Sequence, residues 1–269
     1  MGTKMTFLCR GLALGKNGVI SLVGAGGKTS LMFRLAHEFS ASGDTVLTTT
    51  TTKIYPPAGQ SKCLIVSDSS SDILNRARKL LTHTPHISAA ARYVSGHGKL
   101  MGFPPETIDL FLKSNIFRWI IVEADGAAGR PLKAPAPHEP VVPDCTNWVI
   151  GIVGLSALGK PLDEHTVFRP ELVSKITGLA EGKKIMEKTI CDLLLHRQGI
   201  FQGTPMGAKK IAYLNQADIP RKAQAGRSII QYLVKKKTMG ISRVVLGSTT
   251  LESPVLECHD LHHPLSNLN

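Results

Sequence analysis

Seven residues, Gly24-Ala25-Gly26-Gly27-Lys28-Thr29-Ser30, stand between an apolar run and a helical pattern. Glycines let backbone N–H groups converge on phosphate oxygens. A helix starting there adds its dipole and free donors. A lysine can reach terminal phosphates, and the next hydroxyl can hold a magnesium ion. The segment therefore predicts a phosphate loop. Gly24, Ala25, Gly26, Gly27, Lys28, Thr29 and Ser30 would bind nucleotide, Lys28 acting catalytically and Thr29 on Mg2+. The plain alternative is a glycine turn with a chance lysine, but lysine opposes the dipole of a first helical turn and so calls for an anion. The spacing departs from G-x-x-x-x-G-K-[ST], because Leu22 stands where that motif has its first glycine. A dinucleotide G-x-G-x-x-G fails at Thr29.

Two carboxylates, Glu123 and Asp125, follow the buried run Trp119–Val122. Acids at such a strand end hold magnesium in phosphate-loop proteins. Both are metal candidates, Asp125 also a catalytic one, and which of the two faces the ion is left open. The ordinary alternative is a polar strand end in an Asp-Gly turn. The threonine run 48–52 could add Thr50 or Thr51 to the metal shell, and Lys53 a phosphate contact. Beyond Asp125, Arg130 and Lys133 could neutralise a phosphoryl group or an acidic substrate. His138 and Glu139 could form an acid–base pair. All four are catalytic candidates against ordinary loop roles. Asn215-Gln216-Ala217-Asp218 is similar to the N-K-x-D motif of GTP-binding proteins, with glutamine for lysine. There Asn215 would tie loops together and Asp218 would accept from a guanine edge, which adenine cannot satisfy. An Asn/Asp-rich turn is the alternative.

These residues need elements to position them. Val19–Val23 reads as a strand and 29–40 as a helix. Thr45–Thr48, Cys63–Val66, Trp119–Val122, Trp148–Val153, Lys210–Leu214 and Arg243–Leu246 read as further strands. Helices are expected at 70–81, 106–112, within a mostly helical 155–206 (notably 188–196), and around 221–237. Residues 84–104 carry turn signals, and 126–143 is a long Gly/Pro-rich loop. Apolar strands alternating with helices predict a phosphate-loop NTPase-like three-layer α/β fold with a mostly parallel sheet. Residues 1–250 are expected to form one domain, and 251–269 a poorly ordered C-terminal tail.

In 269 residues, hydrophobic side chains make up 42% and charged ones 19%, which excludes a disordered chain. Aromatics at 5% argue against stacking platforms for single-stranded nucleic acid. The net charge of +12 suits an anionic partner, but the basic residues are scattered and no groove-reading motif occurs, so nucleic acid is not expected. Five dispersed cysteines without a CxxC argue against a disulfide framework or thiolate zinc site. No membrane span or leader is read, and a cytoplasmic protein is expected.

The short G-x-x-G-K-T loop resembles that of Mur-type ligases and folylpolyglutamate synthetases. A wider set of segments resembles the YqeC proteins, known as selenium-dependent hydroxylase accessory or selenium cofactor biosynthesis proteins. It comprises Val23–Met32, Thr48–Ile54, Glu123–Gly126, Arg130–Pro135, His138–Pro140, Gly154-Leu155 through Gly159-Lys160, and Phe168–Glu171. The resemblance implies a single phosphate-loop domain using ATP or GTP with Mg2+. It also implies a molybdenum hydroxylase or its cofactor-maturation proteins as partner, and gives weight to Arg169. No residue read here carries selenium or molybdenum chemistry. An NTP hydrolase, an NTP-dependent transferase or ligase-like activator, and a nucleotide-gated binding module or GTPase-like chaperone all remain open.

Overall fold

The computed structural model describes residues 7–56, 63–96, 98–236 and 240–261. Along the chain these form α1 (Phe7–Gly11), β1 (Gly18–Gly24), α2 (Lys28–Ala41), β2 (Val46–Thr50), β3 (Lys53–Ile54), β4 (Leu64–Val66), α3 (Ser70–Leu80), β5 (His86–Ala90), β6 (Arg92–Val94), β7 (Lys99–Met101), α4 (Pro105–Lys113) and β8 (Trp119–Glu123). Then come β9 (Leu132–Lys133), β10 (Trp148–Gly154), a 3-10 turn at Leu155–Ala157, β11 (Val167–Phe168), α5 (Pro170–Thr177), α6 (Glu187–Leu195), β12 (Lys209–Asn215), α7 (Pro220–Lys235), β13 (Ile241–Gly247) and β14 (Val255–Asp260).

Nine strands make one sheet in the order β14-β13-β12-β10-β1-β8-β2-β5-β4. All pairings are parallel except β13 with β14. The central strands β1, β8 and β10 are buried along their whole length, as a sheet covered on both faces requires. Side chains alternate between the two layers. Ile20, Leu22 and Ile121 pack toward α1 and α2. Val19, Ile120 and Val122 pack toward α3 and α4, and Val23 and Val153 toward α5–α7. The result is a three-layer α/β fold.

Three segments differ from expectation. His86–Ala90, within the stretch of turn signals, is an interior strand between β2 and β4. Two of its α2-facing residues, His86 and Ser88, are polar, so its strand character comes from pairing rather than an apolar run. Residues 155–206 hold only α5, α6 and the 3-10 turn as helix, the rest being loop and β11. Part of the expected tail, Val255–Asp260, closes the sheet edge as β14; residues 262–269 lie outside the described residues. Among the described residues no helix is long and apolar enough to cross a membrane.

The register sets up the site. Leu22 lies opposite Glu123, Gly24 opposite Ile152, and Gly154 opposite Asn215. The carboxyl ends of β1, β8, β10 and β12 therefore share one rim, where open α/β sheets take ligands.

Candidate functional site

At this rim the chain turns from β1 into α2 through glycines held at positive φ: +89° at Gly24, +87° at Gly26 and +127° at Gly27. A Cβ on Gly26 would fall 2.4 Å from the Gly154 nitrogen, and one on Gly27 would fall 2.2 Å from Asn215 Nδ2. The backbone thus fits where a side chain cannot. The N–H of Ala25 is engaged by the Ile152 carbonyl at 2.9 Å, and that of Gly24 by Asp125 Oδ2 at 3.0 Å. Of the seven loop residues expected to bind phosphate, these two therefore have no free backbone donor. Gly27 is the N-cap of α2 and brings no capping side chain. The opening N–H groups of α2, which no helix satisfies internally, thus receive no side-chain cap from Gly27.

Lys28, 4% exposed, donates to the Gly24 carbonyl at 2.7 Å and stands 3.1 Å from Asp125 Oδ1 and 3.8 Å from Glu123 Oε1. Burial alone would lower its pKa; the Asp125 and Glu123 carboxylates outweigh that and raise it. The exposed Thr29 donates its hydroxyl to Glu123 Oε2 at 2.9 Å. Burial pushes the Glu123 carboxyl up despite Lys28 and Thr29. The two acids thus have different surroundings. Glu123 is beside the Thr29 hydroxyl, whereas Asp125 is enclosed by Gly24, Lys28 and Lys133, whose ammonium is 2.9 Å away. Thr29 and Glu123 offer hard oxygen donors of the kind divalent cations take. No cluster of three or more His, Cys, Asp or Glu assembles around a metal among the described residues.

The 126–143 loop turns inward. Lys133 is fully buried, donating to the Gly126 carbonyl and to Glu139 Oε2, each at 2.7 Å. It is engaged by carboxylates, not open to a phosphoryl group. Arg169 grips Glu139 with both arms, at 2.6 and 3.1 Å. Lys28, Asp125, Lys133, Glu139 and Arg169 form a chain of alternating charge. With Glu123 it holds three cations and three carboxylates, which removes the cost of an unpaired buried ion. His138 and Glu139 do not pair: Glu139 faces Lys133 and Arg169, while His138 is exposed. The half-buried Arg130 has no side-chain partner among the described residues. Thr50 and Thr51 donate to the carbonyls of Glu123 and Val141, and Lys53 is exposed on β3.

Arg169 stands at the N-cap of α5 with φ +66°, and its partner could not be read from the sequence. Gln202 carried no signal at all, yet its amide donates to the carbonyls of Ala136, Pro137 and Glu139 at 3.0, 3.3 and 2.6 Å. It fixes the loop that presents Glu139. Across the rim, Asn215 donates to the Gly26 carbonyl at 2.7 Å and accepts from the Thr249 N–H at 3.0 Å, tying three loops together. Gln216 turns to the Ser156 N–H, and Asp218 is exposed near the Ser248 hydroxyl.

The YqeC family model, described as "YqeC protein", matches residues 20–171. This chain belongs to the YqeC family. It is also 34% identical over 219 residues to "Uncharacterized protein YqeC" of Escherichia coli (strain K12), covering 80% of this chain and 82% of that one. The YqeC match spans the glycine loop, Glu123, Asp125 and the whole charge chain through Arg169, and ends before Asn215 and Asp218.

The charge chain has a pH consequence. Burial would raise the Glu139 carboxyl, but Arg169 and Lys133 outweigh it and bring its pKa to about 2 from 4.5. A depressed folded-state pKa contributes stability that is full above 4.5 and lost as pH falls toward 2. Thermal melts between pH 6 and pH 2.5 should show this loss in the parent and a shallower one in Glu139→Gln, which has no charge to lose. Equal acid slopes would remove Glu139 as a source.

Proposed function

We propose that this protein binds a magnesium–nucleoside triphosphate, ATP or GTP, at the Gly24–Ser30 loop. In this reading it is a cytoplasmic accessory factor in maturation of a selenium-dependent molybdenum hydroxylase. The observation that carries nucleotide binding is the placement of Lys28 and the Thr29–Glu123 pair at the start of α2, on the ligand-binding rim of the sheet. The client assignment rests on the family resemblance alone. Lys28 would contact the terminal phosphates, while Thr29 and Glu123 would hold the ion, which neutralises phosphate charge when bound. Asp125 acts as a positioning residue: it fixes the Gly24 N–H and sets Lys28 between the loop and β8.

The Asn215 tether supports a guanine-reading variant, since it joins the phosphate loop to the segment carrying Asp218. Competition binding with magnesium tests both levels. GTP should outcompete ATP by about tenfold to a hundredfold, the worth of one mismatched buried hydrogen-bonding edge at about 1–3 kcal/mol. Asp218→Asn should shift preference toward xanthosine triphosphate. Equal GTP and ATP affinity, unmoved by the substitution, would leave 215–218 an ordinary turn and favour an ATP-dependent activator. Failure of both nucleotides would overturn the proposal.

A further inference from the structure

Past the carboxyl end of β2 the chain leaves the main sheet and builds a small one, ordered β3-β7-β6 with antiparallel pairing. The Gly102 N–H donates to the Thr52 carbonyl at 2.7 Å and the Phe103 N–H to the Thr50 carbonyl at 2.9 Å, which fixes the small sheet to the rim. Thr29, Ile54, Tyr55 and Leu100 line one hollow with a cavity of about 10 Å³, room for a single water. The small sheet therefore packs close to the start of α2.

Its register separates two faces. Residues directly opposite on antiparallel strands share a face, as do residues two apart on one strand. Leu100 is buried and stands opposite Ile54 and Tyr93. The other face carries Lys53 and Arg92, both opposite Met101, and Lys99, opposite Val94. The Lys99 ammonium lies 4.8 Å from the Tyr55 ring centroid, so Tyr55 joins this face. Lys53, Arg92 and Tyr55 are exposed, and Lys99 is half-buried.

This face has no counter-charge of its own. Neither residues 45–56 nor residues 86–104 contain an Asp or Glu. Among the described residues none of its three cations pairs with a carboxylate, whereas Lys28, Lys133 and Arg169 at the rim all do. Like charges gathered on one face repel, and an anionic partner relieves that repulsion. Shape then selects the partner. The face is open, not the concavity a small molecule needs. Lys99 covers one side of the Tyr55 ring, which is therefore a poor platform for a stacked base. Three strands set about 4.8 Å apart make a patch on the order of 10 Å across. That is too small for a stable interface between folded domains or for the many phosphate contacts of a nucleic acid. It matches a few carboxylates on one short segment.

We propose that the Lys53, Arg92 and Lys99 face docks an acidic segment of a protein partner beside the rim. The proposal stands independently of the nucleotide reading. Such docking is electrostatic and salt-sensitive. A fluorescein-labelled deca-glutamate peptide, followed by anisotropy, is the probe. It should bind the parent saturably, and at least about threefold more weakly when salt rises from about 50 to 300 mM. Lys53→Gln/Arg92→Gln should lower affinity at least about fivefold, the worth of two exposed ion pairs. Lys183→Gln/Lys184→Gln removes the same charge from exposed lysines beyond α5 and should stay within about twofold of the parent. Lys53→Arg/Arg92→Lys keeps the patch charge and should bind as the parent does, with circular dichroism checking each fold. Absence of saturable binding, or equal affinity in the two glutamine variants, overturns the proposal; the latter would reduce the effect to bulk charge. A single-stranded oligonucleotide that binds more tightly than the peptide and is lost in Lys53→Gln/Arg92→Gln would overturn it in favour of nucleic acid.

Discussion

Lys28→Ala should lower triphosphate affinity by at least about a hundredfold. Among the described residues the ammonium is the one cation within 4 Å of both Glu123 and Asp125, and in the nucleotide state it would turn to the phosphates. A charge-assisted contact to a buried anion is worth about 1.5–3 kcal/mol for each hydrogen bond, so losing two gives this effect. The substitution also has a structural cost. Asp125 keeps Lys133 at 2.9 Å, but Glu123, buried and with a raised pKa, loses its nearest cation. The melting temperature should therefore fall. The double variant Lys28→Ala/Glu123→Gln removes the orphaned charge and should recover part of that loss with no recovery of nucleotide affinity. Stability and binding moving together in both variants would mean that Lys28 is merely a buried ion-pair member.

Glu123→Gln and Asp125→Asn should separate the two acids. Gln keeps the shape of Glu123 and its hydrogen bond from Thr29, but loses the charge a hard cation wants. The magnesium concentration for half-maximal nucleotide binding should rise at least about tenfold. Asp125→Asn should act mainly on stability. It leaves the buried Lys133 and Lys28 short of a carboxylate, and breaking such a network typically costs about 3–5 kcal/mol. Thermal denaturation and magnesium titration at fixed nucleotide distinguish the two. A magnesium shift in Asp125→Asn with none in Glu123→Gln would exchange the assignments.

The glycine loop was legible in the sequence because all its causes are local. Val19–Val23 is an apolar strand, the glycines permit positive φ, and the helical period begins within one residue of Lys28. The carboxylates after β8 were legible as a pair, for the same reason. Their division of labour was not. Residues two apart on a strand share a face, so alternation does not separate the two acids; what separates them is Lys133, eight residues beyond Asp125 along an irregular loop. That loop takes its course from Arg169 and Gln202, which lie farther on and signal nothing by periodicity. Lys133, read as a residue that could neutralise a phosphoryl group or an acidic substrate, is held by the Asp125 and Glu139 carboxylates, which no local pattern in a Gly/Pro-rich loop places beside it. β5 was hidden because His86 and Ser88 are polar, and their partner Thr48 is 38 and 40 residues away. Asn215 shows the opposite case, where a short motif foretold a tether between loops.

Equilibrium binding of a fluorescent triphosphate to the parent protein, with and without magnesium, tests the central claim most directly. Saturable binding is predicted, strengthened by magnesium and reversed by unlabelled triphosphate or inorganic triphosphate but not by nucleoside. Magnesium alone should bind weakly, because among the described residues Glu123 is the one carboxylate hydrogen-bonded to Thr29. No saturable binding with magnesium present, or binding competed equally by nucleoside, would contradict the account.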